Sequence, residues 1–194
     1  LVCGLQMLLN LAAGRVHLSD GLALIESPAA VAYVESLGIQ PEEFAVRLRA
    51  SGITWGLNAA HRQKMGSGHI ATGTWREGLD RLLSGLWLGD APAASDVTQR
   101  PALPVSGDLG GNPVAIGALL DWLDGLLNLL EDWQTNASPA QWADRCDQAL
   151  EEVLGAGTDR FDSTAAVELV DQLRAGETEH ACNLSMDAAA VEDW

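Results

Sequence analysis

The sequence predicts a mainly α-helical, multi-helix domain, and three of its features carry that expectation. Apolar residues recur every three or four positions through two long stretches, 75–87 and 116–133, the spacing that lines one face of a helix. Serine or asparagine stands directly before proline at Ser27-Pro28, Asn112-Pro113 and Ser138-Pro139, and proline suits the first helical turn, where its missing N–H costs no hydrogen bond. At 194 residues the chain is long enough to bury a core, because a chain of this size removes roughly 70% of its unfolded surface from water.

Taken in order, Leu1 to Ala13 reads as an apolar helix stopped by Gly14, and Ser19 and Asp20 as caps of a short helix reaching Glu26. Ser27-Pro28 opens the next helix and Gly38 ends it. Pro41 to Ala50 follows, with Phe44, Val46 and Leu48 as its expected core contributors. Residues 51–73 are rich in turn formers, and Lys64 to Thr72 is compatible with a short β-hairpin. Thr74 and Glu77 have the form of a capping box, in which hydroxyl and carboxylate each satisfy a backbone N–H left free at the helix start. The threonine hydroxyl is worth roughly 1 kcal/mol there. The helix so begun places Trp75, Leu79, Leu82, Leu83, Leu86 and Trp87 on one broad apolar face.

Ala91 to Asn112 contains Pro92, Pro101, Pro104, Gly107, Gly110 and Gly111, a composition that cannot continue a helix. It divides the chain into a helical segment 1–89, a linker or loop 90–112, and an acidic helical segment 113–194 that packs on the first. In the third segment Asn112-Pro113 caps a long helix whose stripe is Ile116, Leu119, Leu120, Leu123, Leu126, Leu127, Leu130 and Trp133. Ser138-Pro139 with Gln141 opens another, running to Leu154. Asp162 to Ala175 gives an amphipathic helix and Ser185 to Trp194 a last short one.

Charge is informative once divided by position. Residues 1–89 hold 7 basic and 7 acidic side chains, whereas residues 90–194 hold 4 and 20, so the net charge of -16 lies in the second half. A surface that negative repels a phosphate backbone, which proteins attract mainly through lysine and arginine. In the first half, Arg47, Arg49, Arg62, Lys64, Arg76 and Arg81 fall close together, with His61 and His69 among them. One reading is a strip touching a nucleic-acid strand, with Arg62 and Lys64 on the glycine-bearing loop as its most reachable members. The other is ordinary solvated charge, partly paired with Glu42, Glu43, Glu77 and Asp80.

Three cysteines, Cys3, Cys146 and Cys182, show no C-x-x-C spacing and no disulfide framework, and are expected to be reduced. Asn112 to Trp133 has the length of a membrane span but carries Asp121, Asp124, Asn128 and Glu131, each costly at a bilayer centre. It is expected to be a core helix, with no membrane partner. Leu1 to Ala13 is too short to span and lacks the basic leader of a signal peptide.

Catalytic residues are expected to be none. Gly107 to Gly111 is followed by Asn112 and Pro113 instead of the lysine and hydroxyl residue of a nucleotide loop, and Gly66-Ser67-Gly68 also lacks them. No metal site is expected either: His180, Cys182 and Cys146 lack a fourth ligand, and His17 with Asp20, or His61 with His69, stand isolated. The pairs Glu151-Glu152 and Asp144-Asp147 read as solvated helix faces. Of seven tryptophans, Trp75, Trp87, Trp122 and Trp133 belong to apolar stripes, while Trp55, at a helix-to-loop transition, is the first choice for a contact with a DNA strand.

Ser51, Gly52, Ile53, Trp55 and Gly56, followed by Thr74, Trp75, Gly78, Leu79, Arg81, Leu82 and Gly85, form two linked clusters in which the chain resembles the gamma chain of bacterial exodeoxyribonuclease V, the RecC family. A weaker likeness in helical pattern and tryptophan placement extends through most of the chain, including Trp133 and Trp142. The family's chain is several times longer, and the present sequence is therefore read as a domain of a larger polypeptide. The matching segment falls in the helicase-like half of that family, in a region resembling the inserted helical 2B subdomain. The proline-rich loop after Gly89 and the acidic second half depart from the family pattern.

The resemblance implies a subunit that has lost its motor chemistry, holds the alpha and beta subunits, helps split the duplex and guides single strands. ATP and magnesium would be bound by other subunits, so no cofactor is expected in this chain. The implied setting is DNA repair and recombination in the bacterial cytoplasm, with this piece as scaffold, subunit contact and wall of a DNA channel inside an ATP-dependent helicase-nuclease, a hydrolase. A reading from a different class is an acidic protein-interaction or DNA-mimic module, motivated by the charge after Asp90.

Overall fold

The computed structural model describes residues 2–88, 113–154, 164–179 and 186–192. These are helical, and a regular sheet is absent among them: β-pairing is confined to two isolated antiparallel bridges, His17 with Trp55 and Ala137 with Met186. The linker 90–112 lies outside the described residues, as do Trp194, His180 and Cys182 and the side chains of Cys3, Leu86 and Trp87.

The first layer is built by α1 (Val2–Ala13), α2 (Leu18–Ile25), α3 (Pro28–Ser36) and α4 (Pro41–Ala50). Helix α1 is apolar along most of its length and buries Leu5, Leu8, Leu9, Leu11 and Ala12. An almost all-round apolar helix belongs in the interior, and α1 accordingly touches α2, the helix over 113–132 and the C-terminal helices. Proline opens α3 and α4 as expected, and the left-handed Gly38 follows α3. Helix α2 begins earlier than the sequence suggests, its cap standing two residues before Ser19: His17 is its N-cap and makes no side-chain cap bond, leaving Ser19 and Asp20 in the first turn, bonded to each other. In α4, Phe44 and Leu48 are buried, but Val46 is 59% exposed and Ala45 takes the inward position. Residues 44, 45 and 48 share a helical face; residue 46 lies two positions off it.

The β-hairpin expected over Lys64 to Thr72 is absent: Lys64 ends a short helix and the residues after it form turns. Ala59–Lys64 form α5, N-capped by Asn58, whose side-chain oxygen accepts from the His61 N–H at 2.9 Å. Residues after Lys64 continue as turns through left-handed Gly66, Gly68 and Gly73. A six-residue helix carries too little period to be read from spacing, and the cap residue Asn58 is its one local signal.

Helix α6 (Trp75–Leu88) starts where the capping pair places it, with one difference. The Thr74 hydroxyl accepts from the Glu77 N–H at 3.4 Å, but the Glu77 carboxylate accepts from the Gly73 N–H at 2.7 Å, one residue before the cap. The Thr74 N–H instead donates to the Ala71 carbonyl. Helix α7 (Pro113–Asp132) with the Trp133 that follows it buries every member of the expected stripe, and Trp122 and Leu129 widen it. Among the described residues no helix is long and apolar enough to cross a membrane. Ser138 and Gln141 form a complete capping box at α8 (Pro139–Ala149), which runs on as a π-helical turn over Leu150–Leu154. Helices α9 (Thr164–Glu179) and α10 (Ala188–Glu192) follow.

One hydrophobic core joins these elements. Helix α6 lies on α7, α8 on α9, and α10 on α1. Across the α6–α7 contact, the Arg76 guanidinium pairs with Asp124 and Glu131, and Glu131 also accepts from the Asn58 side chain at 2.9 Å. Burial works against the Arg76 charge, but the hydrogen bonds and charges of Glu131 and Asp124 outweigh it and raise its pKa. Cys146 is a buried free thiol whose pKa is pushed up to about 12 by burial and by the neighbouring Asp147 charge. So held, it is a small core hydrophobe and not a nucleophile.

Candidate functional site: an arginine-braced tryptophan loop

The two sequence clusters 51–56 and 74–85 meet in space and are knotted to the turn between α1 and α2. The Thr54 N–H donates to the Gly73 carbonyl, the Trp75 N–H to the Gly56 carbonyl, and the Gly56 N–H to the carbonyls of Arg15 and Val16. Gly56 has φ 82°, a left-handed conformation that side-chain-bearing residues rarely adopt. The Trp75 indole N–H donates to the Val16 carbonyl at 3.0 Å. The Arg81 guanidinium spans the Ser51 carbonyl at 3.1 Å and Glu77 at 2.6 Å. Trp75, Leu79 and Leu82 are buried. The residues that carry the resemblance are therefore engaged in internal packing and backbone bonds.

Gly78 shows how tight this knot is. A Cβ there would stand 2.1 Å from Ile53 Cγ1 and 3.0 Å from Ser51 Oγ. Alanine in mid-helix normally gains about 0.5–1 kcal/mol over glycine, but overpacking costs about 1–3 kcal/mol, and Ile53, itself buried, has little room to yield. Gly78→Ala is expected to lower the midpoint of chemical denaturation; an unchanged or higher midpoint would show that Ile53 can move away.

Arg62 lies at the centre of the site and is only 4% exposed. The sequence suggests a reachable loop cation; the structure corrects that placement. Its Nε and Nη2 donate to the Trp55 carbonyl at 3.1 and 2.8 Å, Nη1 to the Thr72 carbonyl at 2.6 Å and the Ile70 carbonyl at 3.3 Å, and Nη2 to Thr54 Oγ1 at 3.0 Å. A planar five-donor fork is the side chain able to gather that many acceptors from a loop with no regular structure of its own. Burial holds its pKa below the ordinary arginine value, opposed by the Glu77 charge.

Trp55 is half-buried, with the Arg62 guanidinium 4.8 Å from its ring centre, the Arg15 guanidinium 5.5 Å away and the His17 ring at 6.4 Å. Lys64 is exposed, and its ammonium donates to the Gln134 carbonyl at 2.8 Å. Of the expected DNA-contacting trio Trp55, Arg62 and Lys64, the structure thus joins Trp55 to Arg62 and points Lys64 toward the end of α7. Arg15 and His17 complete the surroundings of the ring without any signal in the sequence, because they lie far upstream of Trp55 and carry no motif.

Next to this loop His61 is buried. Its Nδ1 accepts from the Leu57 N–H at 3.3 Å, while Nε2 is enclosed without a partner at hydrogen-bond geometry. Burial and the Lys64 charge lower its pKa, outweighing the Gly14 carbonyl and Glu131. A histidine held neutral in the fold binds its proton more readily once unfolded. Stability from this group is therefore complete above 6.5, the ordinary value, and is lost as pH falls below it through the depressed native value. Denaturation midpoints followed downward from neutral pH are expected to fall less steeply for His61→Gln than for the parent chain; parallel profiles would remove His61 as a source.

Among the described residues no group of three or more histidine, cysteine or acidic side chains could hold a metal ion. Asp144 and Asp147 share the Arg174 guanidinium, an ion-paired solvated face.

The whole chain, residues 1–194, matches the family model described as the RecBCD enzyme subunit RecC fourth domain. It is 37% identical over 81 residues to the RecBCD enzyme subunit RecC of two Mycobacterium tuberculosis strains, covering 41% of this chain and 7% of each relative. Over 188 residues it is 27% identical to the RecC subunit of Mycolicibacterium smegmatis, covering 96% of this chain and 17% of that one. The chain spans less than a fifth of the length of these relatives. On the match along its entire length, the chain belongs to the RecC family as the fourth domain of that subunit.

Proposed function

We propose that this domain is a non-catalytic helical scaffold within the gamma chain of exodeoxyribonuclease V, an ATP-dependent helicase-nuclease acting on double-stranded DNA ends in bacterial recombinational repair. One observation carries the reading: the polar atoms of the family-resembling residues Ser51, Thr74, Trp75 and Arg81 are directed into the fold. Residues kept for chemistry would be aimed at a cleft. The domain's work is then to hold a shape, offering contacts to the RecB and RecD subunits and a wall along a DNA path, while ATP and magnesium are handled by those subunits in the cytoplasm.

The test is assembly. A RecC polypeptide from which this domain is deleted is expected to lose co-purification with RecB or RecD; retention of both, with DNA unwinding at the intact rate, would overturn the scaffold role. ATP hydrolysis or DNA cutting by the isolated chain above a contaminant control would overturn its non-catalytic character.

A second reading is favoured by the exposed Asp144, Glu151, Glu152, Glu168 and Asp171 on α8, its π-helical turn and α9: this face would meet a basic protein surface or imitate the charge of DNA. Competition with DNA for a basic protein, abolished by moderate salt, is its signature.

A further inference from the structure

We propose that Arg15, presented by the Trp55 ring beside His17, is a contact point for the phosphate backbone of a DNA strand, with Lys64 as a second cation. The proposal rests on the reading of this domain as part of a DNA-handling subunit and adds to it a surface and the residues that form it.

The first support is the distribution of ion pairs. Among the described arginines, Arg49 meets Glu26, Arg76 meets Asp124 and Glu131, Arg81 meets Glu77, Arg145 meets Asp132, and Arg174 meets Asp144 and Asp147. Arg15 and Lys64 meet no carboxylate among the described residues: the partner of Arg15 is an aromatic ring and that of Lys64 a backbone carbonyl. In a chain with a net charge of -16, cations left uncompensated stand out. Of the carboxylates nearby, Glu77 is committed to Gly73 and Arg81, Glu131 to Arg76 and Asn58, and Asp132 to Arg145, while Asp20 of α2 accepts from the Ser19 hydroxyl.

The second support is backbone strain between the two exposed side chains. Val16 has φ 54°, a left-handed conformation that a β-branched residue rarely adopts. It is held there by two donors on its carbonyl, the Gly56 N–H at 3.1 Å and the Trp75 indole at 3.0 Å. The consequence is that Val16 is buried while Arg15 and His17, on either side of it, are exposed beside the same ring. Relaxation of Val16 would undo that pairing, so the knot around Gly56 and Trp75 also sets the site.

The third support is that Lys64 is tied through Gln134 to the segment that leads into Arg15. Its ammonium bonds the Gln134 carbonyl, and the Gln134 side chain donates to the Ala12 carbonyl at 2.6 Å, three residues before Arg15. Arg62 is here a positioning residue: its bonds to the Trp55 carbonyl fix the ring on which Arg15 stacks. A guanidinium lying on an indole is pre-ordered, so less of its rotamer entropy remains to be lost when a phosphate arrives.

Fluorescence anisotropy of a labelled oligothymidylate against the 194-residue chain tests this, across salt concentrations from low to physiological. Binding is expected at low salt. Arg15→Ala should weaken it several-fold and lower the slope of log affinity against log salt by about 0.7, the increment for one phosphate contact on a single strand. Arg174→Ala, on the acidic face, should leave both unchanged, and thermal unfolding of Arg15→Ala should match the parent because the side chain is exposed. Binding by Arg15→Ala with parental affinity and slope would overturn the proposal, as would no binding at low salt. Competition by polyglutamate as strong as by DNA would also overturn it and give the surface to an acidic protein segment. Any of these with RecB and RecD co-purification still dependent on the domain would leave the scaffold reading standing.

Discussion

Truncation of Arg62 to alanine is expected to destabilise the domain by about 3 kcal/mol, because the acceptors it serves lose their donors at about 1–3 kcal/mol for each one that stays shielded from water. The loss falls on the Trp55, Thr72 and Ile70 carbonyls together. Ile70 and Thr72 are exposed residues, and water can replace part of what they lose, which is why the figure stands below the sum. For a domain of this size about 1 kcal/mol moves the thermal midpoint by about 2–4 °C, so the variant is readily told from the parent by calorimetry. Arg62→Lys is expected to recover little, since an ammonium cannot reproduce a planar fork that meets four acceptors. A parental midpoint for Arg62→Ala would show that the loop holds without its brace. The distinction matters for any experiment on DNA: an Arg62 variant that binds DNA poorly reports a disordered loop before it reports a lost contact.

Trp142→Ala is expected to cost about 3–5 kcal/mol, the range for removing a large aromatic side chain from a packed core. Trp142 is 0% exposed, stacks edge-on against Trp133 with ring centres 5.4 Å apart, and donates its indole N–H to the Met186 carbonyl at 2.8 Å. That carbonyl also accepts from the Ala137 N–H, and the Ala137 carbonyl accepts from the Met186 N–H in return, so the same contact docks the segment leading into α10. Loss of the ring should raise hydrogen exchange at Met186 and Val191 along with the drop in midpoint. Trp142→Phe should keep part of the aromatic contact and lose the hydrogen bond, falling between the two. Trp133→Ala combined with Trp142→Ala should cost less than the sum of the two singly, since the rings share one contact. Strict additivity would mean that they pack independently.

The arginine on the outer face of Trp142, 4.8 Å from its ring centre, works in the same way as Arg62. Arg145 donates to the Thr135 and Asp132 carbonyls and pairs with the Asp132 carboxylate at 2.7 Å. Two of the arginines in this chain therefore serve as braces for irregular backbone, a role invisible to a count of charges. A basic strip over 47–81 would treat Arg62, Arg76 and Arg81 alike, yet the first is buried against carbonyls and the other two are ion-paired across helices or along one.

Helices and their ends are legible in the amino-acid order wherever the signal is local. The stripe of α7, the proline starts of α3, α4 and α8, and the Ser138 capping box can be read directly, because a helix is built from bonds and side-chain contacts three and four residues apart. The two clusters around Trp55 and Trp75 are also legible as a family resemblance, and the full-length match bears that out. Which polar residues face inward is settled instead by tertiary contacts. Arg62 is buried because acceptors from residues 54 to 72 converge on it, Arg15 meets Trp55 because the strained Val16 turns the chain there, and Val46 stays outside because Ala45 packs in its place. These are contacts between residues far apart in the chain or between competing faces of one helix. Their energies depend on who else arrives at the same point, and no local spacing encodes that.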